Sequence, residues 1–196
     1  MRRPDLSPQP AEGSTDSWTD SLEKLANAVG GTVRDYPDFP RPGILFRDIA
    51  PVLAEPRLLG RIVAALSHEA ARNGAELIAG IESRGFLIGT PVALELELPF
   101  VPIRKQGKLP GETVTAEYDL EYGSAHLELQ VDSVGPGTRV VLIDDLLATG
   151  GTAAAAAGLI ERLGGLVAGI SFLIELEALR GREVLGRYNV LSLLHL

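Results

Sequence analysis

Two adjacent carboxylates, Asp144 and Asp145, carry the most chemical potential in this sequence. They close the apolar run Arg139 to Ile143 and lead into Ala148-Thr149-Gly150-Gly151-Thr152. Carboxylates accept hydrogen bonds from vicinal hydroxyls. Glycines at 150 and 151 remove side-chain bulk, so main-chain N–H groups and two threonine hydroxyls can close on an anion where a helix begins and its dipole favours negative charge. Acids next to an anion site suit a sugar phosphate, with hydroxyls for the carboxylates and phosphate for the turn. A nucleoside-triphosphate P-loop does not fit, because no lysine follows the glycines. The alternative is two acids that merely cap a strand and a helix; spacing already leans against it, and the coincidence of strand, twin acids and Thr-Gly-Gly-Thr favours a site.

Other candidates lie in three separate stretches. Ser83-Arg84 follows the apolar run Leu77 to Ile81, and an arginine in the first turn of a helix is electrostatically misplaced unless it meets an anion. Arg104, Lys105 and Lys108 gather in segment 104–124 together with Glu121 and Tyr122. Solvated charge is the usual fate of such side chains, yet in an acidic chain their clustering suits an anion. Phe39, Leu45 and Arg47 flank a Pro-rich stretch, and by burial statistics alone the apolar members read as core. His68, His126 and His195 share no local spacing, so none is assigned to a metal or to catalysis.

The elements that must position these groups follow from apolar periodicity. Leu22, Leu25 and Val29 recur at helical spacing before Gly30-Gly31, which predicts a first helix. Asp35 to Gly43, with Pro37, Pro40 and Pro42, is expected to lack regular structure and form a stiff loop into Ile44-Leu45-Phe46. Pro56 opens a helical stripe through Leu58, Leu59, Ile62, Val63 and Leu66 that ends near Asn73-Gly74. Strands are predicted at Leu77–Ile81, Phe100–Ile103, Arg139–Ile143, Val167–Ile174 and Val190–Leu194. Helices are predicted at Phe86–Leu96, from the Gly-containing turn to about Leu163, and briefly around Arg180–Leu185. Segment 104–124 reads as a long mobile loop or an extended hairpin, with Leu127, Leu129 and Val131 alternating on a returning strand. Short apolar strands separated by helices predict an α/β fold with a parallel sheet covered on both faces. The domain is expected over 17–196, after a disordered polar extension at 1–16.

Composition narrows the function classes. At 196 residues the chain can bury one substantial core. A formal charge of -8 repels polyphosphate backbones and weighs against a nucleic-acid binder. No apolar run is long enough to span a membrane, and no secretory signal is read at the N-terminus. The absence of cysteine removes disulfides and thiolate chemistry and makes a reducing cytoplasm the easiest home.

On these residues the sequence resembles the type I phosphoribosyltransferases, whose ribose-phosphate loop has the same strand, Asp-Asp, Ala-Thr-Gly-Gly-Thr order. Four stretches narrow the resemblance to the adenine phosphoribosyltransferases. They are Asp38-Phe39-Pro40 through Gly43-Ile44-Leu45-Phe46-Arg47-Asp48-Ile49, Ser83-Arg84-Gly85-Phe86, Arg104-Lys105 through Gly107-Lys108-Leu109-Pro110-Gly111, and Leu120-Glu121-Tyr122-Gly123. The resemblance implies the type I fold, a central parallel sheet flanked by helices, with a small N-terminal hood at about 34–50 and a flexible lid loop at about 104–124.

It also implies a pentosyltransferase that converts adenine and 5-phosphoribosyl 1-pyrophosphate to AMP and pyrophosphate in purine salvage, using Mg²⁺ held mainly by substrate and water. Asp144 and Asp145 would hold the ribose hydroxyls, and Ala148, Thr149, Gly150, Gly151 and Thr152 the 5′-phosphate. Ser83, Arg84, Arg104, Lys105 and Lys108 would bind pyrophosphate, with a cis peptide expected at Ser83–Arg84. Phe39 would stack on the purine, with Leu45 and Arg47 lining its pocket. Arg84, Lys108, Glu121 and Tyr122 form the catalytic set, with Glu121 either handling the purine proton or stabilising the developing cation. A homodimer is implied. The rivals are an enzyme for another base, opposed by the Phe39 to Ile49 stretch, and a nucleic-acid-binding regulator of the same fold, opposed by the acidic charge and the intact Arg104 to Tyr122 segment.

Overall fold

The computed structural model describes residues 15–119 and 124–196. Helix α1 (Thr15–Gly30) leads into a two-stranded antiparallel ribbon, β1 (Arg34–Pro37) and β2 (Leu45–Asp48). A single turn α2 (Ala50–Leu53) and the long helix α3 (Pro56–Arg72) follow. Then come β3 (Leu77–Ile81), α4 (Arg84–Glu95) and β4 (Phe100–Lys105), the hairpin β5 (Thr113–Asp119) and β6 (Ser124–Gln130), and β7 (Arg139–Leu147) with α5 (Gly151–Arg162). The chain closes with β8 (Leu166–Glu175), a 3₁₀ turn (Glu177–Leu179), α6 (Gly181–Val184) and β9 (Val190–His195). Apart from the ribbon, the strands form one sheet in the order β5-β6-β4-β3-β7-β8-β9.

Period-2 alternation sorts the core onto the two faces of this sheet. Ile78, Val141 and Ile143 pack with α1, α3 and α4, through Leu25, Val29, Ile62, Leu66, Ile88 and Val92. Their neighbours Leu77, Ala79, Val140 and Leu142 turn the other way, to Ala156, Ala157, Leu159 and Ile160 of α5 and to Leu127 and Leu129 of the hairpin. Both faces are covered, and burial of each large aliphatic side chain contributes about 1.5–3 kcal/mol. Pro56 stands at the first turn of α3, where its missing N–H is not needed and the Glu55 side chain accepts from Arg57 N.

Several expectations need correction. The sheet is mixed: β4, β3, β7, β8 and β9 run parallel, while β6 pairs antiparallel with β4 and β5 antiparallel with β6. Of the two readings of segment 104–124, the extended hairpin is the one seen, in β5 and β6, while Arg104 and Lys105 close β4; Leu120 to Gly123 lie outside the described residues. Asp35 to Pro37 form a strand, because Pro37 ends a two-stranded ribbon where a ladder N–H can be spared. The extension gives way to α1 already at Thr15, because Trp18 and Leu22 pack on the core and the preceding turn continues their helix; residues 1–14 lie outside the described residues. Strand β7 runs past Ile143 to Leu147, pairing with β8 as far as Glu175, so the twin acids lie within the strand.

Candidate active site

The carboxyl ends of the parallel strands meet at the turn from β7 into α5, where open α/β sheets bind ligands. Gly150 adopts φ +85° at the start of α5, in the left-handed region that glycine tolerates. A Cβ there would lie 2.5 Å from the main-chain oxygen of Gly181, and a Cβ on Gly181 would lie 2.2 Å from that of Ala148. Main chain thus packs directly on main chain, and the turn has no room for a side chain at either glycine. Asp144, Leu146, Ala148, Thr149, Gly150 and Thr152 line a cavity here, closed below by Phe172. Gly181 is missing from the sequence reading, which treats the region as a short helical piece; it lies six residues past the end of β8, after the 3₁₀ turn, where no local pattern marks it.

The twin acids are not equivalent. The Asp145 side chain is 7% exposed and accepts from Arg84 Nε at 2.8 Å. Asp144 accepts the N–H of Asp145 at 2.9 Å and fronts the cavity. Burial raises both carboxyls above the ordinary range; at Asp144 the Asp145 charge adds to it, and Arg84 opposes the rise at both. Helix α4 is seated against this pair because Gly85 has no Cβ: one would stand 2.6 Å from Ile143 O and 3.0 Å from an Asp144 carboxylate oxygen.

A cis peptide sits beside them, at Glu82–Ser83 rather than at Ser83–Arg84. Ser83, Arg84, Lys105, Tyr118, Asp144, Asp145, Ala148 and Thr152 share one cleft with Glu82. The Glu82 carboxylate in this cleft has a counter-charge, accepting from Arg104 Nε at 3.2 Å and from the N–H of Lys105 at 3.0 Å. Burial alone would raise the Glu82 carboxyl, but the Lys105 N–H and the Arg104 guanidinium outweigh it and hold it below its usual range. Arg104 is engaged there and at the carbonyl of Lys108, 3.0 Å from Nη1, while the Lys108 side chain is exposed beyond the end of β4. Glu121 and Tyr122 lie outside the described residues.

A second, more apolar cleft opens from the first. The ribbon β1–β2 forms one wall with Gly43, Ile44, Leu45, Phe46 and Arg47, and the segment after β8 forms the other with Leu176, Ala178 and Leu179, joined by Leu196. That second wall also escapes the sequence reading, because its leucines follow no regular period. Arg47 is tied to Asp35 across the ribbon. The turn between the strands is closed by Gly43 N donating to Asp38 Oδ1 at 2.7 Å, with a cis peptide at Phe39–Pro40. Leu45 and Arg47 therefore stand in the cleft. Phe39 is 53% exposed and lies edge-on to Phe46, 5.2 Å between ring centroids, where the lining residues stop short of it.

Arg84, Leu146 and Ala148 line both clefts, and Arg84 also stands over the Phe46 ring at 5.3 Å. The glycine turn, two carboxylates and an apolar slot thus form one continuous surface. Its shape suits a molecule with phosphate, hydroxyls and a planar ring. Among the described residues no group of three or more His, Cys, Asp or Glu side chains is arranged to hold a metal ion, and no helix is long and apolar enough to cross a membrane.

The model of the phosphoribosyl transferase domain family matches residues 52–193. The adenine phosphoribosyltransferase of Frankia casuarinae is 52% identical over 172 residues, covering 88% of this chain and 92% of that protein. Among solved structures, adenine phosphoribosyltransferase from Thermoanaerobacter pseudethanolicus is 47% identical with a TM-score of 0.84, covering 89% of this chain and 99% of that one. The Saccharomyces cerevisiae enzyme, complexed with adenine and an imino-altritol bisphosphate, is 39% identical with a TM-score of 0.83, covering 87% and 99%.

Proposed function

The chain belongs to the adenine phosphoribosyltransferase family, and from that premise we propose that it transfers a 5-phosphoribosyl group from its 1-pyrophosphate to adenine, yielding AMP and pyrophosphate in purine salvage. The observation that carries the reading is the junction at Arg84, Leu146 and Ala148, where the apolar cleft opens into the phosphate cleft. A base in one and a ribose phosphate in the other would bring a ring nitrogen to the anomeric carbon.

In the reaction the bond from the anomeric carbon to pyrophosphate oxygen breaks, the bond to the purine nitrogen forms, and that nitrogen releases its proton. Positive charge develops on the ribose as the leaving group departs, so fixed charges dominate catalysis. The turn Ala148–Thr152 holds the 5′-phosphate, and Asp144 and Asp145 serve the ribose hydroxyls, Asp145 from its place against Arg84. Ser83, Arg84, Lys105 and Lys108 meet the pyrophosphate, with Arg104 behind them. Leu45 and Arg47 line the base slot and Phe39 covers its rim. Glu121 would take the purine proton or steady the ribose cation, with Tyr122 completing the catalytic set. Asp144, which fronts the cavity while Asp145 is taken up by Arg84, would leave a hard oxygen near a Mg²⁺ held mainly by substrate phosphate and water, and that ion would help neutralise the leaving group.

The enzyme works in the cytoplasm, as its lack of cysteine suits, and as a homodimer. The dimer is supported by an apolar face of α3 and α4, where Leu94 is 79% and Leu87 52% exposed beside Leu59, Val63 and Pro91. The test is a Mg²⁺-dependent assay of pyrophosphate release with adenine, hypoxanthine, guanine and orotate offered separately. Turnover with adenine alone is expected. Turnover with another base overturns the specificity, and binding without turnover overturns the enzyme.

A further inference from the structure

Glu128 lies between Leu127 and Leu129, both buried against the sheet, so strand alternation would send it to solvent. It is instead 3% exposed. Its Oε1 accepts the main-chain N–H of Lys108 at 2.7 Å and that of Leu109 at 2.6 Å. Burial would raise this carboxyl, but the N–H groups of Gly107, Leu109 and Lys108 and the charge of Arg104 outweigh it and keep it ionised.

The other side of the same residue is held as well, since the carbonyl of Lys108 accepts Arg104 Nη1 at 3.0 Å. Arg104 is the register partner of Glu128 across β4 and β6. Gly107, at φ +81°, turns the chain so that successive N–H groups converge on one oxygen. The main chain of Lys108 is thus fixed at both its N–H and its C=O, while its side chain stays exposed. A buried charge is costly unless several donors need it, and an apolar side chain would fill the space without that cost. The donors here all belong to the turn that carries Lys108.

We propose that Glu128 is a positioning residue for the reaction: its carboxylate fixes the turn Gly107–Leu109 so that the Lys108 ammonium is presented to the pyrophosphate. This rests on the reading of Lys108 as a pyrophosphate-binding cation. Glu128 touches no substrate and acts only through Lys108.

The test compares wild type, E128Q, K108A and the double variant, first by calorimetric titration with inorganic pyrophosphate and Mg²⁺, then by KM for each substrate. E128Q keeps size and removes charge. It should weaken pyrophosphate binding and raise KM for phosphoribosyl pyrophosphate by about five- to tenfold, with KM for adenine unmoved. In the K108A background the same substitution should have no further effect on pyrophosphate. Unchanged affinity in E128Q, equal rises in both KM values, or an undiminished effect in K108A would each overturn the positioning role. Should E128Q fail to fold, E128D shortens the carboxylate while keeping its charge, and the same comparison with K108A applies. A wild type that does not turn adenine over sinks the functional reading alone, because the titration needs no turnover.

Discussion

The turn from β7 into α5 and the ribbon β1–β2 flank the same cleft but are built in opposite ways. The turn is built of backbone: Gly150 and Gly181 cross with no space for a Cβ, and α5 begins at once. In the ribbon, side chains do the lining, and Leu45 remains 44% exposed on strands that pair only with each other. The difference follows from the ligands each would meet. A phosphate is bound by converging N–H dipoles that must not move, whereas a flat ring is bound by apolar area that can adjust. Substitutions should therefore act almost all-or-none in the turn and by degrees in the ribbon.

The strongest way to break this contrast is Gly181→Ala, at a residue that touches the turn from outside. Its Cβ would be driven against the Ala148 carbonyl, a backbone group that cannot rotate away. Overpacking of this kind costs about 3 kcal/mol, and if the displacement falls on the phosphate turn, kcat/KM for phosphoribosyl pyrophosphate should drop about 100-fold. Steady-state kinetics alongside a melting curve check this. A loss of less than about threefold would show that the turn yields, and that its rigidity is not what recognises phosphate.

Next in size is Asp144→Ala. With a carboxylate that fronts the cavity removed, KM for phosphoribosyl pyrophosphate should rise by about tenfold or more while KM for adenine stays within about twofold. Equal rises would mean that the two clefts do not divide the substrates as proposed.

The same residue gives a smaller effect on stability, with a definite sign. Burial and the Asp145 charge raise the Asp144 carboxyl in the folded protein. Its favourable contribution is therefore complete below the unfolded carboxylate value, about 4, and is lost as pH rises through the raised folded value. Above the unfolded value the ligand-free protein therefore carries a penalty for this group that grows with pH, and Asp144→Asn would relieve it. The variant should melt about 2–4 °C above wild type at pH 7.5, matching a gain of roughly 1 kcal/mol, with the gap closing toward pH 4. A gap independent of pH would show that the amide acts by packing. Glu82 and Glu128, whose carboxyls are lowered, have the opposite sign: their stabilisation is present above the unfolded value and is lost as pH falls through the folded one.

How much of this was legible in the sequence tracks the same contrast. Backbone-made features leave compositional marks: adjacent acids and paired glycines stand out in the Asp144 to Thr152 segment, and β3, the start of β7 and α5 were legible because an apolar period of 2 or 3.6 records which face is buried. Features made by long-range contact leave little. Pro37 argued against a strand, yet it stands opposite Leu45 at the end of the ribbon, where its missing N–H is tolerated. Glu128 sits in an alternating pattern that sends it outward, and only the return of the Gly107 turn over it makes the position buried. Gly181 and the leucines at 176 and 179 meet the site through the path of the chain after β8, which no local spacing encodes.

The finest test of the contrast lies on the wall the sequence left unread. Leu179 is 42% exposed and faces Leu45 across the apolar cleft. Being half in water already, it adds little to folding, so Leu179→Ala should move the melting temperature by less than about 2 °C. Its remaining apolar area is what a bound ring would cover, and at about 25 cal/mol per Å² the loss of a few tens of Å² raises KM for adenine by roughly threefold. KM for phosphoribosyl pyrophosphate should not change, because Leu179 is separated from the phosphate turn by Arg180 and Gly181. A variant that weakened both substrates alike would mean that the segment after β8 moves as one piece, with the apolar wall and the phosphate turn joined through Gly181. In that event the two regions would be a single unit, and the graded behaviour expected of side-chain lining would fail where it meets the backbone.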